Sequence, residues 1–475
     1  MAIMLDLAII NGTVVTPAGS IPADIGVDDG RIVIVAARQQ LPDATHTIDA
    51  QDLLVLPGII DSHFHCRAPA NPEREDFATG TRAAAAGGVT TVIEMPISIP
   101  PTTDGPSLAK RRAHAERDVF VDLAFYASSA TLDREKIQSA TAEGAIAFKA
   151  FLQDVPSGRE DEFTGLCIYR NGDIMRALEL VGETGRPAVF HAEDFDTLTY
   201  LGERLQHEGR SDVAAHWEWR PDYVEAISVS SITLMAAGLG VHVHLPHISS
   251  ALAVEIIRIA KQRGAPVTAE TCPQYLLFDR ETLLEHGPFA KCNPPLKTSH
   301  DIEALWDGLR DGTIDTVATD HSPFTVAEKS AGYENIWAAP PGFPGVEILT
   351  PFVIGSALEG KLPIERAVEL VASRPAGIFG LSPRKGRLSP GADADITLYD
   401  PSVRSKVDVS TWQTRSRDSA RIWHGMLTTG AVVTTIVRGN VVYDGSQIVG
   451  SQGYGQILRP AVSGEPIEHL RAADN

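Results

Sequence analysis

The sequence is poor in cysteine, and its few cysteines are scattered. Among 475 residues there are only four, Cys66, Cys167, Cys272 and Cys292, and no two of them form a CxxC pair. This spacing excludes a disulfide framework and a CxxC-type zinc site. Unpaired cysteines are typical of a reducing compartment, so we expect the protein in the cytoplasm.

The sequence also lacks an excess of basic residues. Lysine and arginine number 41 against 61 aspartate and glutamate residues, which gives a formal net charge of −20. Nucleic acids and anionic membrane surfaces attract basic faces, so we expect neither as a partner. No apolar run approaches the roughly 20 residues that cross a bilayer, and no basic stretch precedes the first apolar residues as in a secretory signal.

What the sequence does contain is a histidine pair directly after a long apolar run. Residues 53–60 read LLVLPGII, and the segment DSHFH with His63 and His65 follows. The run predicts one strand buried on both faces, as in a parallel sheet under helices. Because strand side chains alternate, both imidazoles lie on one side at the strand end, close enough to hold one metal ion. Taken alone, such a pair is more often structural, so the interpretation depends on similar groups downstream.

The middle of the chain alternates apolar strands with helical patterns. A chain of 475 residues is too long for one small core, so a large domain with an accessory one is expected. With the first strand, the further strands make about eight βα units, which predicts a (β/α)8 TIM barrel over residues 55–383. A doubly wound sheet is the alternative. The further strands are predicted at residues 89–95, 119–126, 145–151, 187–191, 241–247, 266–271 and 314–320.

Both ends of the chain are rich in short strands separated by polar turns. Asn11-Gly12 and Asp29-Gly30 are typical hairpin turns near the start, and a similar texture returns after the barrel. We therefore expect residues 1–54 and 384–453 to build one small β-sandwich from both chain termini, followed by a C-terminal tail over residues 454–475.

Polar residues suited to metal binding stand at several predicted strand ends. His191 ends one strand, and Asp320 ends the last. In VHVHLPH we favour His247 as a ligand, because it comes last before the loop, and interpret His242 and His244 either as packing residues or as residues that contact and support a metal ligand. The carboxyl ends of barrel strands meet on one face, so these groups predict a two-metal site there.

Lys149 is an unusual residue for its position. It lies inside the apolar strand GAIAFKAF, where an uncompensated ammonium is costly. Either Lys149 pairs with a carboxylate or it is chemically altered.

In combination, these motifs resemble those of the cyclic amidohydrolases of the amidohydrolase superfamily, which include dihydroorotases, allantoinases, hydantoinases and dihydropyrimidinases. The resemblance runs over nearly the whole chain and is greatest to allantoinases and related hydantoinases. It rests on PGIIDSHFH, EDFATGTRAAAAGGVTTVIEMP, GAIAFKAF, VFHAED, PHISS, ETCPQYL, KCNPPLK, DTVATDHSP and GADADITLYD.

The resemblance implies a catalytic site with two divalent metal ions. The ions would be zinc, with Mn²⁺ or Co²⁺ also compatible with the ligand types. Carbon dioxide would convert Lys149 to N6-carboxylysine, which bridges the ions. A shared water of lowered pKa would attack the cyclic amide, and Asp320 would shuttle the proton to the leaving nitrogen. The implied ligands are His63, His65 and Asp320 at the more buried ion, His191 and His247 at the more exposed one, and Lys149 at both.

Arg67 is the first of four substrate-binding residues implied by the resemblance. It matches the position where dihydroorotases hold the substrate carboxylate. The alternative from the sequence is that it pairs with a local acid such as Glu73 or Glu75.

The other three positions are Ile97, Asn293 and Phe324. Ile97 and Phe324 replace polar residues of dihydroorotases, whereas Asn293 lies where the family holds the cyclic imide or ureide. We therefore rank hydrolysis of a cyclic amide in a ureide or imide ring, as by an allantoinase or a hydantoinase, above dihydroorotase activity. A non-catalytic scaffold of the dihydropyrimidinase-related type ranks last, because all six candidate ligands are present.

The family resemblance implies a homo-oligomer, either a dimer or a tetramer, that binds a small cyclic amide. Residues 329–337, which include glycine and tyrosine, predict either a mobile lid or a disordered surface loop.

Overall fold

The termini form two sheets in the computed structural model, which describes residues 4–461. One sheet has the strand order β5-β4-β1-β6, and the other has the order β18-β17-β16-β7-β2-β3. Apolar side chains from both sheets, such as Ile9, Val27, Val55 and Ile436, form a shared core. The strands are β1 Leu5–Ile10, β2 Thr13–Thr16, β3 Gly19–Pro22, β4 Asp24–Asp28, β5 Arg31–Ala36, β6 Ala44–Asp49 and β7 Leu54–Pro57, with β16 Ile396–Lys406, β17 Leu427–Val437 and β18 Asn440–Tyr443 from the far end of the chain.

The middle of the chain forms an eight-stranded parallel barrel in which the strands follow one another in sequence order. A main-chain bridge between Phe64 and His321 joins the first strand to the segment after the last. The expected barrel with a small β-domain from both termini is therefore confirmed. The barrel strands are β8 Ile59–Phe64, β9 Val89–Glu94, β10 Asp122–Ser128, β11 Ala147–Phe151, β12 Ala188–His191, β13 Val243–Leu245, β14 Val267–Thr271 and β15 Thr316–Val317.

Helices surround the barrel and connect its strands. The first begins at the N-cap Asp76, whose carboxylate accepts from the Thr79 amide, and ends before Gly87. Within residues 4–461, none of the helices has both the length and the apolar character that a membrane span requires. The helices are α1 Phe77–Ala86, α2 Gly105–Ala115, α3 Arg134–Glu143, α4 Glu160–Phe163, α5 Asn171–Gly182, α6 Phe195–His207, α7 Ala214–Trp219, α8 Asp222–Leu239, α9 Ala251–Gln262, α10 Pro273–Leu277, α11 Arg280–His286, α12 Ser299–Asp311, α13 Val326–Ser330, α14 Leu349–Leu358, α15 Ile364–Val368 and α16 Arg374–Ile378.

The apolar run at residues 53–60 is not one strand, as the sequence suggested, but two. β7 pairs with β2 and β16 in the outer sheet, and β8 pairs with β9 in the barrel. Gly58 separates them, and a Cβ on Gly58 would come within 2.6 Å of the Asp395 Cβ. The chain thus crosses from one domain to the other where only glycine fits.

Residues 454–461, predicted as the start of a tail, run beside β10. The Leu123 amide donates to the Gln456 carbonyl at 2.9 Å, and the Leu458 amide donates to the Leu123 carbonyl at 2.7 Å. Residues 462–475 of the predicted tail lie outside the described residues.

Candidate active site

A cavity of about 600 Å³ opens at the carboxyl ends of the barrel strands. Five of the six predicted metal ligands line it, namely His63, His65, His191, His247 and Asp320. Active sites of this fold lie on this face, because the loops that follow the strands meet there.

His63, His65 and Asp320 form the first group in the cavity. Oδ1 of Asp320 lies 3.2 Å from Nε2 of His63 and 3.1 Å from Nε2 of His65. Two imidazole nitrogens and a carboxylate oxygen thus converge on one point. These are ligand types that Zn²⁺ and similar ions accept.

His191 and His247 form the second group. Nδ1 of His191 lies 3.0 Å from Nε2 of His247. The His247 ring is also 5.2 Å from the His63 ring, so the two groups adjoin. His247 and Asp320 both have positive φ values of 44° and 49°, a sparsely populated conformation for residues with side chains that is found at functional sites.

Burial keeps several of these histidines neutral. It lowers the pKa of His65 to about 3 and the pKa values of His191 and His247 below the usual range. The buried Nδ1 atoms of His65 and His247 have no hydrogen-bond partner among residues 4–461. Neutral imidazoles are the form that binds metal ions, so the donor set fits a metal centre.

Lys149 lies on β11 beneath these groups and is fully buried. Its Nζ has no hydrogen-bond partner within the described part of the chain. Burial lowers the pKa of Lys149 to about 8. Lys149 therefore has no carboxylate partner among the described residues. Because its pKa is about 8, part of the lysine is present near neutral pH as the neutral amine that carbon dioxide requires.

Two carboxylates that sequence reasoning missed support the histidines. Glu270 on β14 places Oε1 3.1 Å from Nδ1 of His63, and Glu193 places Oε2 2.8 Å from Nε2 of His191. Each thus takes the ring nitrogen that does not face the centre, as in other metal sites. The sequence did contain features that could have indicated both residues. Glu193 follows His191 by two residues, and Glu270 lies near the end of an apolar strand.

Arg220 stabilises the charge of Glu193. Burial alone would raise the pKa of Glu193, but Arg220, which donates to its carboxylate, and His191 lower it to about 2. The carboxylate beside His191 is therefore ionised at all working pH values.

The four predicted substrate-binding residues, Arg67, Ile97, Asn293 and Phe324, all line the cavity. Nη2 of Arg67 donates to Oγ of Ser322 at 2.7 Å. Its Nε and Nη1 have no hydrogen-bond partner among residues 4–461, so a pair with Glu73 or Glu75 is not found there.

Other candidates have structural roles. His242 and His244 each place a ring nitrogen 3.0 Å from Oγ1 of Thr268, and Nε2 of His244 lies 3.5 Å from Oε2 of Glu270, the partner of His63. An acidic group beneath the barrel, Asp122 with Asp393 and Asp395, surrounds the ammonium of Lys385 at 2.5 to 2.9 Å.

Comparison with known proteins matches residues 54–442 to the amidohydrolase family. The chain is 32% identical over 457 residues to an L-hydantoinase of Paenarthrobacter aurescens, covering 96% of this chain and 98% of the relative. It is 34% identical over 458 residues to an allantoinase of Rubrobacter xylanophilus, with the same coverage.

Two solved structures are similar over nearly the whole chain. The L-hydantoinase from Arthrobacter aurescens has a TM-score of 0.91 at 31% identity, covering 96% of this chain and 99% of that one. The dihydropyrimidinase from Brevibacillus agri has a TM-score of 0.89 at 29% identity, covering 97% and 99%.

Proposed function

The chain belongs to the amidohydrolase family and is a cyclic amidohydrolase, and we propose that it opens a ureide or imide ring, as in allantoin or a hydantoin, with the help of two divalent metal ions. One observation carries the proposal. Imidazoles and a carboxylate converge above a buried lysine whose Nζ has no hydrogen-bond partner in residues 4–461.

The side chains divide between two metal positions. His63, His65 and Asp320 would hold one ion, His191 and His247 the other, and carboxylated Lys149 both. When bound, two divalent ions supply Lewis acidity for the amide carbonyl and lower the pKa of a shared water. We propose zinc, because imidazole and carboxylate oxygen suit it, and Mn²⁺ or Co²⁺ would also fit these ligands.

Lys149 and Asp320 supply the acid and base chemistry. The neutral amine of Lys149 attacks carbon dioxide, an N–C bond forms, and the released proton leaves a carbamate anion. That anion would replace a buried ammonium at a position where bound divalent ions would neutralise it. Asp320, which contacts both His63 and His65, accepts the proton of the attacking water and delivers it to the leaving ring nitrogen.

Arg67, Ile97, Asn293 and Phe324 would contact the substrate. Ile97 and Phe324 are apolar, which favours a ring with less negative charge than dihydroorotate. One observation favours dihydroorotase as the second candidate: the 3% exposed Arg67 has two nitrogens without a partner in residues 4–461, and a carboxylate would satisfy them.

We further propose a homo-oligomer in the cytoplasm, a dimer or a tetramer. α8 supports this, because Tyr223, Ile227 and Leu234 are 44%, 42% and 70% exposed and recur at helical spacing on one face. Sedimentation velocity is expected to give a species larger than one chain, and a single monomeric boundary would contradict it.

The test is turnover by metal-loaded protein in bicarbonate. The panel holds allantoin, hydantoin, 5-substituted hydantoins, dihydrouracil and dihydroorotate, with Lys149→Ala as the control. Turnover of allantoin or a hydantoin that Lys149→Ala abolishes is the expected result. Turnover of dihydroorotate alone would replace the proposal by the second candidate. No turnover by protein with two metal ions would favour a cyclic amide outside the panel or a non-catalytic scaffold.

A further inference from the structure

Two buried lysines contact one wall of the cavity, and Lys291 itself also lines the cavity. We define the wall as residues 336–342, of which residues 337–342 line the cavity. Lys329 is 0% exposed and Lys291 is 4% exposed. Lys329 belongs to the stretch that the sequence predicted as a lid or a disordered loop. In the structure this stretch is ordered as α13 and two 3-10 turns, Ala331–Tyr333 and Ile336–Ala338.

The amino group of Lys329 donates hydrogen bonds to three main-chain carbonyls. Its Nζ donates to the carbonyl oxygens of Lys291 at 3.0 Å, Pro340 at 3.0 Å and Gly342 at 2.9 Å. Two of these carbonyls belong to the wall, and the third belongs to the connection between α11 and α12 that carries Asn293. One ammonium therefore joins the wall to the segment next to it.

Lys291 holds the same wall from its other end. Its Nζ donates to the carbonyl oxygens of Ile336 at 2.7 Å and Ala339 at 2.6 Å. Its own carbonyl accepts from the Gly342 amide at 2.8 Å. The two lysines thus engage carbonyls at four of the seven positions of the wall.

The wall needs such bonds because of its sequence. Pro340 and Pro341 have no amide proton, so this part of the wall cannot be held by the amide donors that order helices and sheets. Its carbonyls are the polar groups that remain, and a lysine side chain is a donor long enough to reach them from a neighbouring segment. Burial lowers the pKa of Lys329 to about 7 and that of Lys291 well below its usual value, so keeping an ammonium among neutral carbonyls is costly, which argues for a role beyond filling space.

The position of the wall affects the groups across the cavity. Gly342 has a φ of +120°, and a Cβ there would come 2.6 Å from Cβ of Ser322. Ser322 in turn accepts the hydrogen bond from Arg67. A shift of the wall would therefore move both the cavity lining and the partner of Arg67.

We propose that Lys291 and Lys329 are positioning residues that fix the wall and thereby set the affinity for the cyclic substrate, without a part in the chemical step. The proposal rests on the proposed function, because it takes the cavity as the substrate site.

The test compares Lys329→Met and Lys291→Met with wild type on the best substrate of the panel. Both variants are expected to raise KM roughly 10- to 100-fold, because small displacements of positioning groups have effects of this size. The kcat at saturation and the content of two metal ions per chain should stay close to wild type, since uniform binding is what is lost. Hydrogen–deuterium exchange in residues 331–343 should become faster.

Two further variants separate positioning from general stability. Lys261→Met is the control, because Lys261 is also a partly buried lysine that donates to a carbonyl, that of Gly312 at 3.1 Å, and pairs with Asp315 at 2.5 Å, but does not line the cavity or contact its wall. It is expected to lower stability and leave KM unchanged. Trp337→Phe removes the bond from Nε1 to the Arg210 carbonyl at 2.8 Å, which holds the wall at its exposed edge. It is expected to raise KM less than the lysine variants and tests the same wall if those fail to fold.

Failure of the positioning role and failure of the proposed function give different results in these measurements. If wild type opens no ring on the panel, the proposed function fails, and the exchange measurement still reports whether the lysines hold the wall. Unchanged KM in folded variants, unchanged exchange, or loss of metal together with kcat would each overturn the positioning role.

Discussion

Replacing Lys149 by methionine should make the metal-free protein more stable while it abolishes activity. Methionine has nearly the length of lysine and no charge, so it fits the same space on β11. The buried Nζ of Lys149 has no hydrogen-bond partner within residues 4–461. The variant therefore removes an uncompensated charge and leaves the packing intact.

The magnitude follows from the pKa of Lys149. Burial lowers it from 10.5 to about 8, so the folded protein binds fewer protons than the unfolded chain between those values. Wild-type stability should rise with pH through that window, and the full cost should be present below pH 8. At roughly 1.4 kcal/mol per pH unit, Lys149→Met should be about 3 kcal/mol more stable at pH 7.

The assay is urea unfolding of chelated protein in carbon dioxide-free buffer. The difference in unfolding free energy between variant and wild type should be largest at pH 7 and should become smaller by pH 10. With metal and bicarbonate the order should reverse, because binding stabilises only the protein with the complete site. A variant less stable than chelated wild type at pH 7 would refute the reasoning, since it would mean that the Lys149 charge is compensated.

Two other predictions concern buried carboxylates. Glu193→Gln and Glu270→Gln should each weaken metal binding roughly 10- to 100-fold, measured by equilibrium dialysis and metal analysis. Glu347→Gln, a carboxylate that accepts from main-chain amides, serves as the control and should leave metal content unchanged. Burial raises the pKa of Glu225 to about 7, so the folded protein keeps a proton between pH 4.5 and 7 that the unfolded chain has lost. Stability should therefore fall as pH rises through that window, by on the order of 3 kcal/mol, and urea unfolding should show that Glu225→Gln flattens this fall.

The barrel could be predicted because its signals are local and repeated. Apolar runs alternate with helical patterns, and each run marks a strand wherever it occurs in the sequence. The same regularity indicated His63, His65 and His191, because a residue at the end of a buried strand faces the open end of the barrel. The segment around Gly58 shows the limit of this reasoning. An apolar run looks the same in the sequence whether it forms one strand or two strands in different sheets.

The carboxylates and the cavity wall could not be predicted in the same way. Glu193 and Glu270 resemble ordinary acidic residues until the fold places a histidine nitrogen about 3 Å from each. Lys329 belonged to a stretch interpreted as a lid or a disordered loop, and its three carbonyl partners lie up to 38 residues away. No local pattern encodes such a contact.

The sequence by itself determined the class of fold, the order of its strands and the types of donor at their ends, because alternation and burial act over a few neighbouring residues. Only the tertiary structure decided which nitrogen of each histidine faces the centre, that Lys149 has no partner in the described chain, and that two lysines fasten a proline-containing wall. These features depend on distances between segments far apart in the chain, and such distances exist only once the barrel has closed.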